Sequence, residues 1–325
     1  MRKILAVALM AGGLSTYGVG ASAETTWDMP TPYPDGNFLT QNVRQFAADV
    51  EKMSGGELKI TVHSGASLFK MPEIKRAVRT GQAQIGEILL SAYGNENAIF
   101  EVDGVPFLAT GYDNAWKLWE AQKPVLTDVL AEENLMPLFS GVWPGQGLYN
   151  QEEISSTSQM QGVKFRAYNA ATSRLAELMG AVPTTVQYAE VPQAFSTGLV
   201  SAMLTSATTG VDVKSWDFLK VFYKTDAMHP KNLVFVNKDA FAALDDKTKQ
   251  AVLDASAAAE KRAWEQSKVE AANAVKELGD NGMAVLDPPA SLIADLEKIG
   301  AQMTKEWQEK AGENGQRLLD AYKAM

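Results

Sequence analysis

Residues 54–90 read SGGELKITVHSGASLFKMPEIKRAVRTGQAQIGEILL, and the change of period along this stretch decides the fold. Leu58 to His63 alternates apolar and polar residues, the pattern of a half-buried strand. Pro72 to Arg79 takes helical spacing, and Gly81 stops it. Ile85 to Leu90 is an apolar run broken only by Gly86 and Glu87, which predicts a buried strand. Upstream, Phe38, Leu39, Val43, Phe46, Ala47, Val50 and Met53 keep helical spacing, with Asn42 as the polar member. Ser54-Gly55-Gly56 ends that helix. Thr25 to Met29 predicts a further strand, and Tyr33-Pro34-Asp35-Gly36-Asn37 a turn. Strand, helix, strand, helix, strand is the order of an α/β domain.

A second set of elements follows. A helix is predicted over 113–132, carrying Trp116, Leu118, Trp119, Val125, Val129 and Leu130, and a strand over 135–142. Strands at 162–166, 184–186 and 200–204 enclose helices at 171–179 and 191–195. Leu233 to Val236 reads as a strand returning to the first domain. Asp245-Asp246-Lys247-Thr248 opens a long helix running to about Leu278, which at 1.5 Å per residue spans roughly 50 Å. That exceeds one small domain, so the helix is expected to run along both. Amphipathic helices at about 290–311 and 313–324 finish the chain. Single cores stop growing near ~250–300 residues, so two domains are expected. Domain I takes 24–147 plus about 233–265, and domain II takes 148–232 plus about 266–325. A chain that crosses between domains more than once suits a hinged cleft.

The N-terminus has the anatomy of a secretory signal peptide over residues 1–23. Arg2 and Lys3 precede an apolar stretch from Ile4 to Leu14, and Ala21-Ser22-Ala23 forms an A-x-A site with cleavage expected after Ala23. The apolar stretch is too short for a membrane span, which needs roughly 20 residues. With no cysteine in the chain, disulfides, a lipid-modified cysteine, a cysteine nucleophile and cysteine metal sites are all excluded. Loss of Arg2 and Lys3 takes the formal charge from −9 to −11. Such a surface repels nucleic acid and anionic lipid, so a negatively charged partner must meet a specific local cation. A monomer, exported to the periplasm and not inserted in the membrane, is expected.

Little points to catalysis. The only histidines are His63 and His229, too few for a histidine-built metal site, and no cofactor is expected. His63 reads as structural. His229-Pro230-Lys231-Asn232 precedes the returning strand at the hinge side and is a candidate cleft segment, with Asn232 a candidate ligand contact. There is no G-x-S-x-G elbow and no phosphate loop. Glu132-Glu133 and Glu152-Glu153 are adjacent in sequence and do not face each other as a catalytic pair would.

Six segments in order carry a family resemblance. These are Ser54 to Ile60; Glu73 to Gly86; Pro106-Phe107-Leu108; Gly162-Val163-Lys164-Phe165-Arg166; Leu178 to Pro183; and Tyr188 to Val200. Together they resemble the extracytoplasmic solute receptors of TRAP (tripartite ATP-independent periplasmic) transporters, the DctP family. The resemblance covers nearly all of the chain after residue 23. It implies a two-domain periplasmic binding protein fold with a central cleft, hinge strands and a long helix spanning both domains. It also implies a small organic carboxylate as ligand and membrane permease subunits as partner.

In that family the arginine ending G-x-K-x-R anchors the ligand, which implies Arg166 here. Position alone leaves Arg166 two roles, a surface pairing with an acid or a ligand anchor. The chemistry suits the second, because a guanidinium fork pairs with a carboxylate through two parallel hydrogen bonds. The chain departs from the family at two places. No arginine stands near Gln146-Gly147-Leu148-Tyr149-Asn150, and the run Leu204 to Asp212 carries Thr205, Thr208 and Thr209 where acid and amide are usual. One cation with several hydroxyls suits a monocarboxylate, aromatic or bearing a 2-hydroxy or 2-oxo group. Phe69, Tyr93, Trp143 and Tyr188 are expected to line the pocket, with Trp216 divided between pocket and core. The alternative functions are a receptor feeding a sensor kinase and a periplasmic enzyme acting on a carboxylate.

Overall fold

The computed structural model describes residues 24–325, so the expected signal peptide lies outside the described residues. The first half forms β1 (Thr25–Pro30), α1 (Phe38–Ser54), β2 (Leu58–His63), α2 (Met71–Arg79), β3 (Ile85–Leu89), α3 (Gly111–Glu132) and β4 (Leu135–Val142). The chain then forms β5 (Gln146–Asn150), β6 (Lys164–Ala167), α4 (Ala170–Leu178), β7 (Val182–Thr185), α5 (Val191–Ser196), β8 (Ala202–Ser206), α6 (Ala207–Asp212) and β9 (Val221–Tyr223). It closes with β10 (Lys231–Asn237), α7 (Lys238–Ala242), α8 (Asp246–Asp280), β11 (Ala284–Leu286) and α9 (Ala290–Lys323).

Two sheets organise these elements. In the first domain β10 lies between β3 and β4, antiparallel to both, and β1 pairs in parallel with β2 beside them. The second domain holds a sheet of order β11-β9-β5-β8-β6-β7, in which β6 runs parallel to β7 and β8. The alternation read in β2 is borne out: Leu58 and Ile60 are buried while Lys59 and Thr61 are exposed. β3 is buried along its whole length, as a strand covered on both faces must be. One apolar cluster runs through both domains, from Leu39 and Trp119 to Phe165 and Leu175.

The chain crosses between domains at Trp143–Gly145 and again at Thr225–Pro230. The crossings are laced together: the amide of Trp143 donates to Pro230 O (2.9 Å), and the amide of Gln146 to Met228 O (3.0 Å). The 35 residues of α8 pack on α1 and β4 in the first domain and on α6 and β11 in the second, so the long helix spans both. The expected break between the last two helices is a kink at Gly312 (φ 55°, ψ −140°). Placing everything after residue 266 with the second domain needs correction. α9 packs on α3 and the 98–104 turn of the first domain as well as on α4 of the second, because its buried leucines and Trp307 meet apolar residues from both.

Candidate ligand-binding site

Between the sheets, beside the crossings, lies a cavity with about 470 Å³ free of protein atoms, the solvent-open space at its mouth included. Arg166 reaches it from β6, where strand pairing fixes it between Thr184 of β7 and Met203 of β8. Its side chain is buried, with 3% exposure. Nε donates to Val186 O (3.1 Å), and the guanidinium lies over the Tyr168 ring with its carbon 5.1 Å from the ring centre. That bond and that stacking fix the plane of the fork and leave its two terminal nitrogens to the cavity. Burial pulls the Arg166 pKa down to about 10, and the groups that act against this shift are Tyr168, Tyr188 and Tyr33, not an Asp or Glu. At neutral pH the cavity therefore holds a charged guanidinium that no carboxylate among the described residues offsets. An uncompensated buried charge is costly and attracts an anion.

Opposite stands an aromatic wall. Trp143, at the first crossing, meets Tyr33 edge-on with centroids 5.1 Å apart, and Tyr33 meets Tyr188 in the same way at 5.1 Å. Phe38 at the start of α1 braces Trp143 from behind (5.6 Å). Met71, Leu89, Ala92 and Pro230 complete the apolar lining. Polar groups come from the second domain: Gln146 at the head of β5, Gln187, Thr205 near the end of β8 and Thr209 in the first turn of α6. The Thr209 hydroxyl is held 3.1 Å from that of Ser206, the residue that caps α6.

Of the residues expected at the site, Arg166, Thr205, Thr209, Trp143 and Tyr188 line this cavity together. Four do not. Thr208 is buried but does not line the cavity, and its hydroxyl has no hydrogen-bond partner among the described residues. Tyr93 donates its hydroxyl to Met71 O and lies in a neighbouring part of the cleft. Phe69 packs against the core. Asn232 is buried behind the wall: its Oδ1 accepts from Trp143 Nε1 (2.9 Å) and from Tyr33 OH (3.2 Å), and its Nδ2 donates to Glu87 (2.9 Å). Trp216 belongs to the core of the second domain. His229 sits behind the crossings, with Nε2 2.8 Å from Asp226 and its ring against Tyr112.

Tyr33, Tyr168, Gln146 and Gln187 were missed. Tyr168 had a signal, because it lies two residues beyond Arg166 and strand periodicity puts both on one face. Tyr33 had none, since it reaches the cavity from a turn.

The profile of bacterial extracellular solute-binding protein family 7, DctP, matches residues 31–311. Among solved structures, the Bordetella pertussis extracytoplasmic solute receptor DctP6, which binds pyroglutamic acid, is 48% identical with a TM-score of 0.92, over 93% of this chain and 100% of that one. DctP7 of the same organism, also binding pyroglutamic acid, is 47% identical (TM-score 0.91, 92% and 99% covered). A TRAP solute binding protein from an unidentified marine microbe, specific for pyroglutamate and holding it, is 41% identical (TM-score 0.91, 93% and 99% covered). Its two-domain α/β architecture and the family match over most of its length lead to one conclusion: the chain belongs to the DctP family of bacterial extracellular solute-binding proteins.

Proposed function

We propose that this protein is the extracytoplasmic receptor of a TRAP-type transporter, and that it captures pyroglutamate or a closely related small cyclic monocarboxylate for delivery to the membrane permease. The observation that carries the reading is Arg166, a buried guanidinium with two free terminal nitrogens facing an aromatic cavity. A ligand carboxylate takes the fork bidentately, and a compact ring fills the space against Trp143, Tyr33 and Tyr188. Thr205, Thr209 and the two glutamines supply neutral hydrogen bonds to the rest of the ring. The pyroglutamate found with three relatives above 40% identity supports this class, and it shifts the expectation from aromatic or 2-hydroxy and 2-oxo acids to a saturated ring. The protein works as a monomer outside the inner membrane, as a receptor and not as an enzyme. No helix among the described residues is long and apolar enough to cross a membrane.

The test is thermal melting against a panel of small carboxylates, with Arg166→Ala alongside. A true ligand at 100 times its Kd adds about 2.7 kcal/mol of stability, a shift of several degrees. Pyroglutamate is expected to give that shift, and Arg166→Ala to abolish it. A panel without a single hit, or an equal shift in the variant, would sink the reading.

A further inference from the structure

Four aromatic side chains line the cavity with a polar tip, and the protein itself takes every tip. Trp143 Nε1 and Tyr33 OH both donate to Asn232 Oδ1 (2.9 and 3.2 Å). Tyr188 OH donates to Asp212, and Tyr168 OH to Gln146 Oε1 (3.4 Å). The aromatic lining of the cavity therefore presents ring surface and no free donor. Asn232 cannot turn its amide around, because its Nδ2 donates to Glu87 Oε1 (2.9 Å), an acceptor when ionised, and Glu87 also accepts from the Thr31 hydroxyl. Glu87 and Asn232 are each 1% exposed and neither lines the cavity. No cation is among the groups acting on Glu87. The site thus has its cation in the cavity and, behind the wall made by Trp143 and Tyr33, a carboxyl group that is negative once ionised.

We infer that Asn232 and Glu87 are positioning residues that restrict the cavity to ligands with a single carboxylate. Asn232 withholds the wall's two donors from the ligand, and Glu87 locks Asn232 and, in its ionised form, repels negative charge that approaches the wall. This rests on the reading that Arg166 binds a carboxylate. A second carboxylate would have to give up its water for ring surface with no donor, in a field of its own sign, whereas the uncharged end of a ring loses little. Asn232→Leu removes the shared acceptor and leaves the Trp143 and Tyr33 donors without a protein partner. Glu87→Gln keeps the shape and both hydrogen bonds, since its amide oxygen accepts from Asn232 and its nitrogen donates to Thr31, but removes the charge.

The experiment is calorimetric titration of the folded protein with pyroglutamate and with glutarate, an open-chain dicarboxylate of the same carbon number. Wild type, Asn232→Leu, Glu87→Gln and Arg166→Ala are compared. Wild type is expected to favour pyroglutamate by at least about 100-fold, and the preference to fall about tenfold or more in either positioning variant. Glu87→Gln carries the test should Asn232→Leu fail to fold. Pyroglutamate bound through Arg166 with the preference unchanged in the folded variants would overturn the inference alone. A wild type that takes glutarate as readily would do the same. A wild type that binds neither acid, or an Arg166→Ala that binds like wild type, would overturn the carboxylate reading and this inference with it.

Discussion

Glu87 sits in the middle of β3, 1% exposed, where a strand covered on both faces has room for apolar side chains. Burial raises its carboxyl pKa above the ordinary 4.5, against the pull of its bonds from Asn232 and Thr31. The consequence for stability has a definite sign. Below about pH 4.5 both folded and unfolded chains hold the proton, and the neutral group's contribution is fully present. As pH rises the unfolded chain releases the proton first, so stability is lost up to and through the raised folded value. Glu87→Gln has no proton to lose. Its melting temperature relative to wild type is therefore expected to climb between pH 4 and pH 8, and parallel melting curves across that range would refute the assignment. Position alone leaves Arg166 two roles, and only the resemblance of Gly162-Val163-Lys164-Phe165-Arg166 to the family's strand marks it as the anchor candidate. Asn232 was read as a ligand contact, since nothing in a linear sequence separates a residue lining a cavity from one holding the lining in place.

At the scale of elements, the long periodic segments were legible: α1, β2, α3, β4 and α8 each bury a stripe or face that the residue spacing already marks. The missed strands are short. β9 and β11 have three residues each and owe their place to pairing with one another and with β5, which spacing cannot encode. α6 was hidden for a different reason, because Thr208 and Thr209 have modest helix propensity and the turn depends on the Ser206 cap, which accepts from the Thr209 amide (3.1 Å). The packing of α9 was equally invisible, and Gly300 shows its physical demand. A Cβ there would lie 2.4 Å from Pro106 O and 3.1 Å from Pro106 C, a backbone that cannot swing aside. Helix propensity favours alanine over glycine by about 1 kcal/mol, but overpacking against backbone costs about 1–3 kcal/mol. Gly300→Ala is thus expected to destabilise by up to about 2 kcal/mol net. Gly279→Ala is the contrast, since its Cβ would meet only Val285 at 3.9 Å, an ordinary contact, and propensity then makes the change neutral or stabilising. Urea unfolding of the two variants decides the matter, and equal effects would mean that α9 does not seat as closely as drawn.

At the scale of the whole molecule the two domains meet across the cleft through a few polar contacts as well as apolar surface. Asn37 Nδ2 donates to Asp212 (2.9 Å), and Asn169 Nδ2 donates to Ser91 Oγ (2.9 Å). Opening about the two crossings would break both, while the helix ends that carry them stay intact. Asn37 also caps α1, accepting from the Leu39 amide (3.0 Å), so a blunt substitution would confuse closure with folding. Asn37→Ser separates them, because serine is an equally good cap but too short to reach Asp212. A hydrogen bond to a charged group is worth about 1.5–3 kcal/mol, and here only the closed form has it. Ligand bound in the closed form is then held about 10- to 150-fold less tightly, nearly all of it in a faster off-rate, since encounter takes place in the open form. Stopped-flow tryptophan fluorescence reads both rates through Trp143 in the cavity wall. Release at least about tenfold faster, with an unchanged on-rate and an unchanged unliganded melting temperature, is expected. A variant that melts lower without ligand yet releases ligand at the wild-type rate would mean that the Asn37–Asp212 contact persists in the open form and contributes to the fold, not to closure.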